Sequence, residues 1–197
     1  MSSIKLESNA SGTGIFTIAS PNSNTNRTLT LPDNTGTILT SATTTGFPAG
    51  SVLQVVQAIY STLVTSSSTS FVDSGLSASI TPTSASSKIL ILLNPVIGVY
   101  RQNNTVHGAF NLVRGSTQIN SIGAPSINGA VGSGGFLVID APGSMVYLDS
   151  PATTSSTTYK MQMRVSTSAD TGAVRLNNYP TAAGDSNSSI TLMEIGA

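Results

Sequence analysis

The sequence predicts an all-β protein, with a short N-terminal β-shaft or arm followed by a jelly-roll-like β-sandwich. Three observations carry this. Apolar residues alternate with polar ones or gather in short β-branched runs along nearly the whole chain, and helical stripes are almost absent. Ser, Thr, Val and Ile recur throughout, and these side chains lose rotamer freedom or compete for backbone hydrogen bonds in helices. The 18 glycines and 9 prolines fall between the runs, where they punctuate turns.

Residues 1–46 form the first region. Ile4 with Leu6, Phe16 with Ile18, Leu29 with Leu31, and a unit around Ile38 are short alternating segments. Turn clusters at Ser8–Gly14, Pro21–Asn26 and Pro32–Gly36 separate them. One pair of apolar residues per segment cannot enclose a core within one chain. Three copies wound around a shared axis can, which predicts a homotrimeric shaft. The alternative is an extended arm that orders on a partner surface. A joint follows at Ser41–Gly50, where Phe47 is the one large apolar residue available to pin it.

Residues 47–197 form the second region, with longer segments. Ser51–Thr65 begins VLQVVQAIY, which also fits a helical stripe, but its β-branched content favours a strand. Phe71–Ile80 is the next segment. Lys88–Tyr100, KILILLNPVIGVY, is apolar on both faces at its start, which predicts a central strand buried on two sides. Pro95 lacks a ladder donor, so a bulge or bend is expected near Asn94. His107–Val113 and Ser116–Ile119 read as hairpin arms around Arg114-Gly115. Gly134–Ile139, Ser144–Leu148, Thr158–Ser166, Gly172–Leu176 and Ser189–Ile195 complete about ten strands, the rhythm of a sandwich or jelly roll. In TYKMQMRV, Tyr159, Met161, Met163 and Val165 share one face, and Lys160, Gln162 and Arg164 the other. The last strand sets Ile190, Leu192 and Glu194 on one side and is expected inside a sheet, since a free one would be an aggregation-prone edge.

Charged residues make up only 8% of the 197, about a third of the usual level for soluble proteins. Ser, Thr and Asn must solvate the surface, and so few charges suit a chain packed within an assembly. Eight basic side chains balance eight acidic ones with no basic patch, which argues against nucleic-acid binding and against attraction to an anionic membrane. The absence of cysteine excludes disulfides and thiolate chemistry. The N-terminus MSSIKLESNASGTG has no secretory pattern, and no apolar run is long enough to span a bilayer as a helix, so synthesis in the cytoplasm and no membrane insertion are expected.

Chemistry-bearing residues are sparse, and no catalytic, cofactor-binding or metal-ligating residue is assigned. His107, the single histidine, has no acid near it in sequence and reads as a strand-start residue or a pH-sensitive contact. The acids are Glu7, Asp33, Asp73, Asp140, Asp149, Asp170, Asp185 and Glu194. Asp140 and Asp149 flank a predicted hairpin and would be the pair to test for glycoside cleavage, although both border turns where Asp bonds its own backbone. Gly129, Gly132, Gly134 and Gly135 lack the Lys-Ser/Thr of a phosphate loop and read as a flexible connection. Two polar clusters, Tyr100–Asn104 and Arg175–Tyr179, have the residue types that grip sugars or proteins, and are also ordinary polar turns.

Thr28-Leu29-Thr30-Leu31-Pro32-Asp33 followed by Thr35-Gly36-Thr37 resembles the TLTLPD-x-TGT module of bacteriophage tail fibres and related virion proteins, over about 30 residues. The YKMQMRV and SITLMEI strands resemble those closing the C-terminal domains of such fibres, with a rhythm similar to trimeric jelly-roll heads of the C1q and tumour-necrosis-factor type. The resemblance implies a homotrimer in the virion, and the sparse chemistry of the residues a non-enzymatic one. Residues 1–46 would attach to other virion proteins, and the C-terminal domain would face a host glycan or protein. A trimeric capsid decoration, cement or head-fibre protein is the other role it allows. It supplies no receptor-binding residues and no cofactor.

Overall fold

The computed structural model describes residues 11–15, 17, 19, 22–26, 28, 30, 33, 47–101, 106–122, 126–127, 137–165, 172–177 and 186–197. The chain divides into two compact units, Met1–Ile38 and Leu39–Ala197. In the first, every described residue is exposed, Ile15 at 93%, and none lies in a strand. The paired positions Leu29 and Leu31, and most of the TLTLPD-x-TGT module, lie outside the described residues.

The second unit is all-β. Its strands are β1 (Val52–Tyr60), β2 (Val64–Ser66), β3 (Val72–Ile80), β4 (Lys88–Asn94), β5 (Val96–Arg101), β6 (Val106–Arg114), β7 (Thr117–Ile122), β8 (Ser126–Ile127), β9 (Leu137–Pro142), β10 (Met145–Asp149), β11 (Thr157–Val165), β12 (Ala173–Leu176) and β13 (Ser188–Ile195). Among the described residues the thirteen exceed the ten expected because Ser51–Thr65 and Lys88–Tyr100 each divide in two and β8 is added. The segment VLQVVQAIY is strand.

Two antiparallel sheets, in the orders β1-β13-β4-β10 and β3-β11-β6-β7, enclose the core. This is the strand order of a jelly roll, with the chain passing back and forth between the sheets. Alternation places Ile89, Ile91 and Leu93 of β4 inside, against Tyr159, Met161 and Met163 of β11, Phe110 and Leu112 of β6, and Ile190 and Leu192 of β13. The final strand β13 lies between β1 and β4, inside its sheet as expected. In β3, Gly75 takes a φ of 88° beside a register shift, and the Ser74 hydroxyl donates to the Met161 carbonyl at 2.8 Å. A Cβ at Gly75 would stand 2.5 Å from the Tyr60 ring.

A third sheet, β2-β12-β5-β9, was not foreseen. Each of its strands adjoins, in sequence, the strand in the same place of the first sheet: β2 follows β1, β12 precedes β13, β5 follows β4, and β9 precedes β10. It is the first sheet continued past a crease. Pro95 breaks β4 from β5 as its missing donor requires, and the Gly143 N–H donates to the Pro95 carbonyl at 2.7 Å where β9 turns into β10.

Lys88–Tyr100 is two strands rather than one, and β4 is buried on one side only, because Leu90 and Leu92 face outward and are half-buried. Phe47 is 44% exposed.

Candidate functional site

The third sheet gathers what the sequence left scattered. Its inner face carries Val64, Ile97, Val99, Val174 and Leu176, which close the end of the core. On its outer face the register aligns Thr65, Arg175, Gly98 and Asp140 in one row, with Ala173, Tyr100 and Val138 in the next. The Arg175 guanidinium stacks over the Tyr100 ring at 4.7 Å from its centre, so one residue from each predicted polar cluster meets on this face. The Asp140 carboxylate lies over Gly98, in the space that any side chain at 98 would take. Glycine there lets an acid and an aromatic-stacked base share one small patch.

The other members of the two clusters have different fates. Arg101 and Asn177 are buried, and residues 102–104, 178 and 179 lie outside the described residues. Asn177 is structural. It holds a left-handed φ of 57° at the crease, where its N–H donates to the Val96 carbonyl at 2.9 Å. Its Nδ2 donates to the Tyr60 carbonyl at 2.7 Å, and its Oδ1 accepts from the Ser188 hydroxyl at 2.6 Å. The Ser188 oxygen in turn accepts the Val96 N–H at 2.9 Å. Two buried polar side chains thus replace the ladder where the sheet folds over.

The suspected acid pair is not a pair. Asp140 in β9 and Asp149 in β10 stand nine residues apart along strands that pair with β5 and β4, not with each other, so no hairpin brings them together. That path is up to ~30 Å of extended chain, against the 5–9.5 Å or so that glycosidase carboxylates need. Asp149 is bound into the sandwich. Arg114 Nη1 donates to its two oxygens at 2.9 and 2.8 Å, and the buried Tyr159 hydroxyl donates to it at 2.6 Å. Burial first, then this bond to a carboxylate, push the Tyr159 phenol well above its ordinary range. The triad ties β10 to β6 and β11 across the two sheets.

Glu194 plays a similar part at the same end. Its carboxylate accepts from Gln54 Nε2 at 2.6 Å and from both the N–H and hydroxyl of Thr83 at 2.7 Å, anchoring the β3–β4 connection. Burial pushes this carboxyl up, but the bonds from Gln54 and Thr83 outweigh it, helped by the nearby Ser87 hydroxyl, which lies outside hydrogen-bond geometry. The net position is below the ordinary value. His107 is half-buried in β6, opposite Ser126. Gly129, Gly132, Gly134 and Gly135 lie outside the described residues, as do Glu7, Asp170 and Asp185.

An open cleft of about 340 Å³ is lined by Arg114, Gly115, Pro151, Thr153, Ser156, Thr157 and Thr158. Its one charged group is the guanidinium already bound to Asp149. Among the described residues no three His, Cys, Asp or Glu side chains gather as metal ligands, and no helix is long and apolar enough to cross a membrane.

No family model matches the sequence, and no curated protein matches it. Among solved structures, the chain is similar to those of infectious bursal disease virus strain Gx (14% identity, TM-score 0.31) and strain Gt (16%, 0.29). It is also similar to that of T=1 particles derived from infectious bursal virus (17%, 0.31). The overlaps cover 75%, 73% and 73% of this chain but only 39%, 38% and 36% of those chains, so the chain spans under two-fifths of their length. Superpositions this loose assign no function.

Proposed function

We propose that the chain is a non-enzymatic structural protein of a bacteriophage virion, a homotrimeric tail fibre. In this reading residues 1–46 attach to other virion proteins and the jelly roll presents its capped end to a host surface glycan or protein. One observation carries the adhesive part. The third sheet brings Tyr100, Arg175 and Asp140 onto a single outer face. An aromatic ring, a stacked cation and an acid are the groups that hold sugar rings and polar peptide segments. The TLTLPD-x-TGT resemblance supports the virion assignment, and the exposed Ile15 suits a segment that buries its apolar residues only against other chains.

Localisation in the particle tests this. Electron microscopy with a label on the C-terminal domain should place roughly a few tens of copies or fewer at the tail, the low number a fibre requires. Hundreds of copies over the head would replace the fibre with a capsid decoration protein. Adsorption to host cells should fall at least about tenfold for Tyr100→Ala with Arg175→Ala, the loss of one or two good contacts. Depolymerisation of a host polysaccharide by the purified chain would overturn the non-enzymatic reading.

A further inference from the structure

The two large sheets present opposite kinds of outer surface. On the second sheet, Lys160 Nζ and Gln162 Nε2 each reach Asp73 at 2.7 Å, and Asn111, Gln118 and Ser121 form a closed hydrogen-bonded ring. The first sheet is mostly apolar outside, with Gln57 and Thr191, joined by a 3.0 Å hydrogen bond, and Ser189 and Asn94 among its outward residues. Register aligns Val55, Met193, Leu90 and Leu148 in one row across all four strands, with Leu92 and Val146 neighbours in the next. Val55 is 55% exposed, Ile59 65%, Val146 64% and Leu148 49%. The only charged side chain its four strands turn outward is Lys88, at the rim beside Ile195.

We propose that this face is a homotypic contact, covered by a second copy of the same chain. The inference rests on the reading of the chain as an oligomer and names the face through which two copies of the C-terminal domain meet, a two-fold contact in itself. Size supports it. Four strands ~4.8 Å apart and about seven residues long give roughly 450 Å² in projection. Side-chain relief takes the accessible area toward the ~800 Å² that each partner gives to a standard interface. Charge chooses the partner. A face with no charge pattern has nothing to match on a charged partner, but it complements itself, and the core of a self-interface is the most apolar and charge-depleted kind.

Light scattering on the full-length chain tests this. Ile59→Asp with Val146→Asp, at outward positions on the two edge strands, should reduce the wild-type mass to that of one chain while circular dichroism is unchanged. Ser77→Asp on the polar sheet should leave the mass intact. Because the chain has no cysteine, Leu148→Cys and Ser77→Cys give single-thiol proteins that assemble without added charge. Maleimide should label the first at least about tenfold more slowly than the second, as expected inside an interface core. Unchanged mass with equal labelling would overturn the contact yet leave a three-chain wild type standing. A two-chain wild type that the substitutions dissociate would uphold the contact and sink the trimer. A single-chain wild type would remove both.

Discussion

At the scale of single residues, the polar side chains inside the sandwich are its most sensitive positions. Asn177 combines a left-handed backbone with bonds to Tyr60, Val96 and Ser188. Asn177→Ala meets the steric penalty at that φ and leaves buried partners unpaired, which together should cost about 2–4 kcal/mol. Asn177→Gly incurs only the second cost, so urea denaturation of the two variants separates backbone from side chain. An alanine variant within about 0.5 kcal/mol of wild type would show that the crease needs no such tie. Glu194 gives a pH prediction. Its folded value lies below the ordinary 4.5, so its stabilisation is present above that pH and is lost as pH falls through the folded value. Glu194→Gln should therefore melt below wild type at pH 7, with the gap closing in acid. A gap that is constant from neutral to acid pH would contradict the carboxylate's role.

At the scale of elements, alternation decided most of the architecture. The burial of Tyr159, Met161, Met163 and Val165 against the half-buried Lys160, Gln162 and Arg164 follows directly from period two, and so does Glu194 on the inner face of β13. Pairing was not legible. Ala141-Pro142-Gly143 has the composition of a hairpin turn, yet the strands on either side pair with β5 and β4, and only that partnership makes the segment a bend. The apolar texture of β4 announced burial on two sides, and in one chain only one side has a partner. The patch of Tyr100, Arg175 and Asp140 was likewise out of reach, because it depends on register among three strands distant in sequence. Gly75 tests an element directly. Gly75→Ala sets a Cβ against the Tyr60 ring at a φ that L-residues avoid. It should destabilise by at least about 2 kcal/mol in thermal or urea unfolding, and a neutral result would mean the register shift in β3 absorbs it.

At the scale of the whole molecule, a chain with 8% charged residues cannot rely on repulsion to control association. If the outer face of the first sheet joins subunits, the interaction is apolar and should hardly respond to screening. Assembled mass should stay the same from about 0.05 to 1 M sodium chloride, where the Debye length shortens roughly fourfold, and should hold or rise in ammonium sulfate. Dissociation at high sodium chloride, followed by ultracentrifugation, would point instead to ion pairs between subunits.

The crease also separates what must be kept from what can change. The third sheet is joined to the first through Pro95 between β4 and β5, Gly143 between β9 and β10, and the bonds among Val96, Asn177 and Ser188. A change at an outward position of the third sheet, such as Thr65 or Val138, bears on that hydrogen-bonded cap before it reaches Ile91 or Met161. Outward positions of this cap can therefore change while the two sheets that enclose the core keep their register.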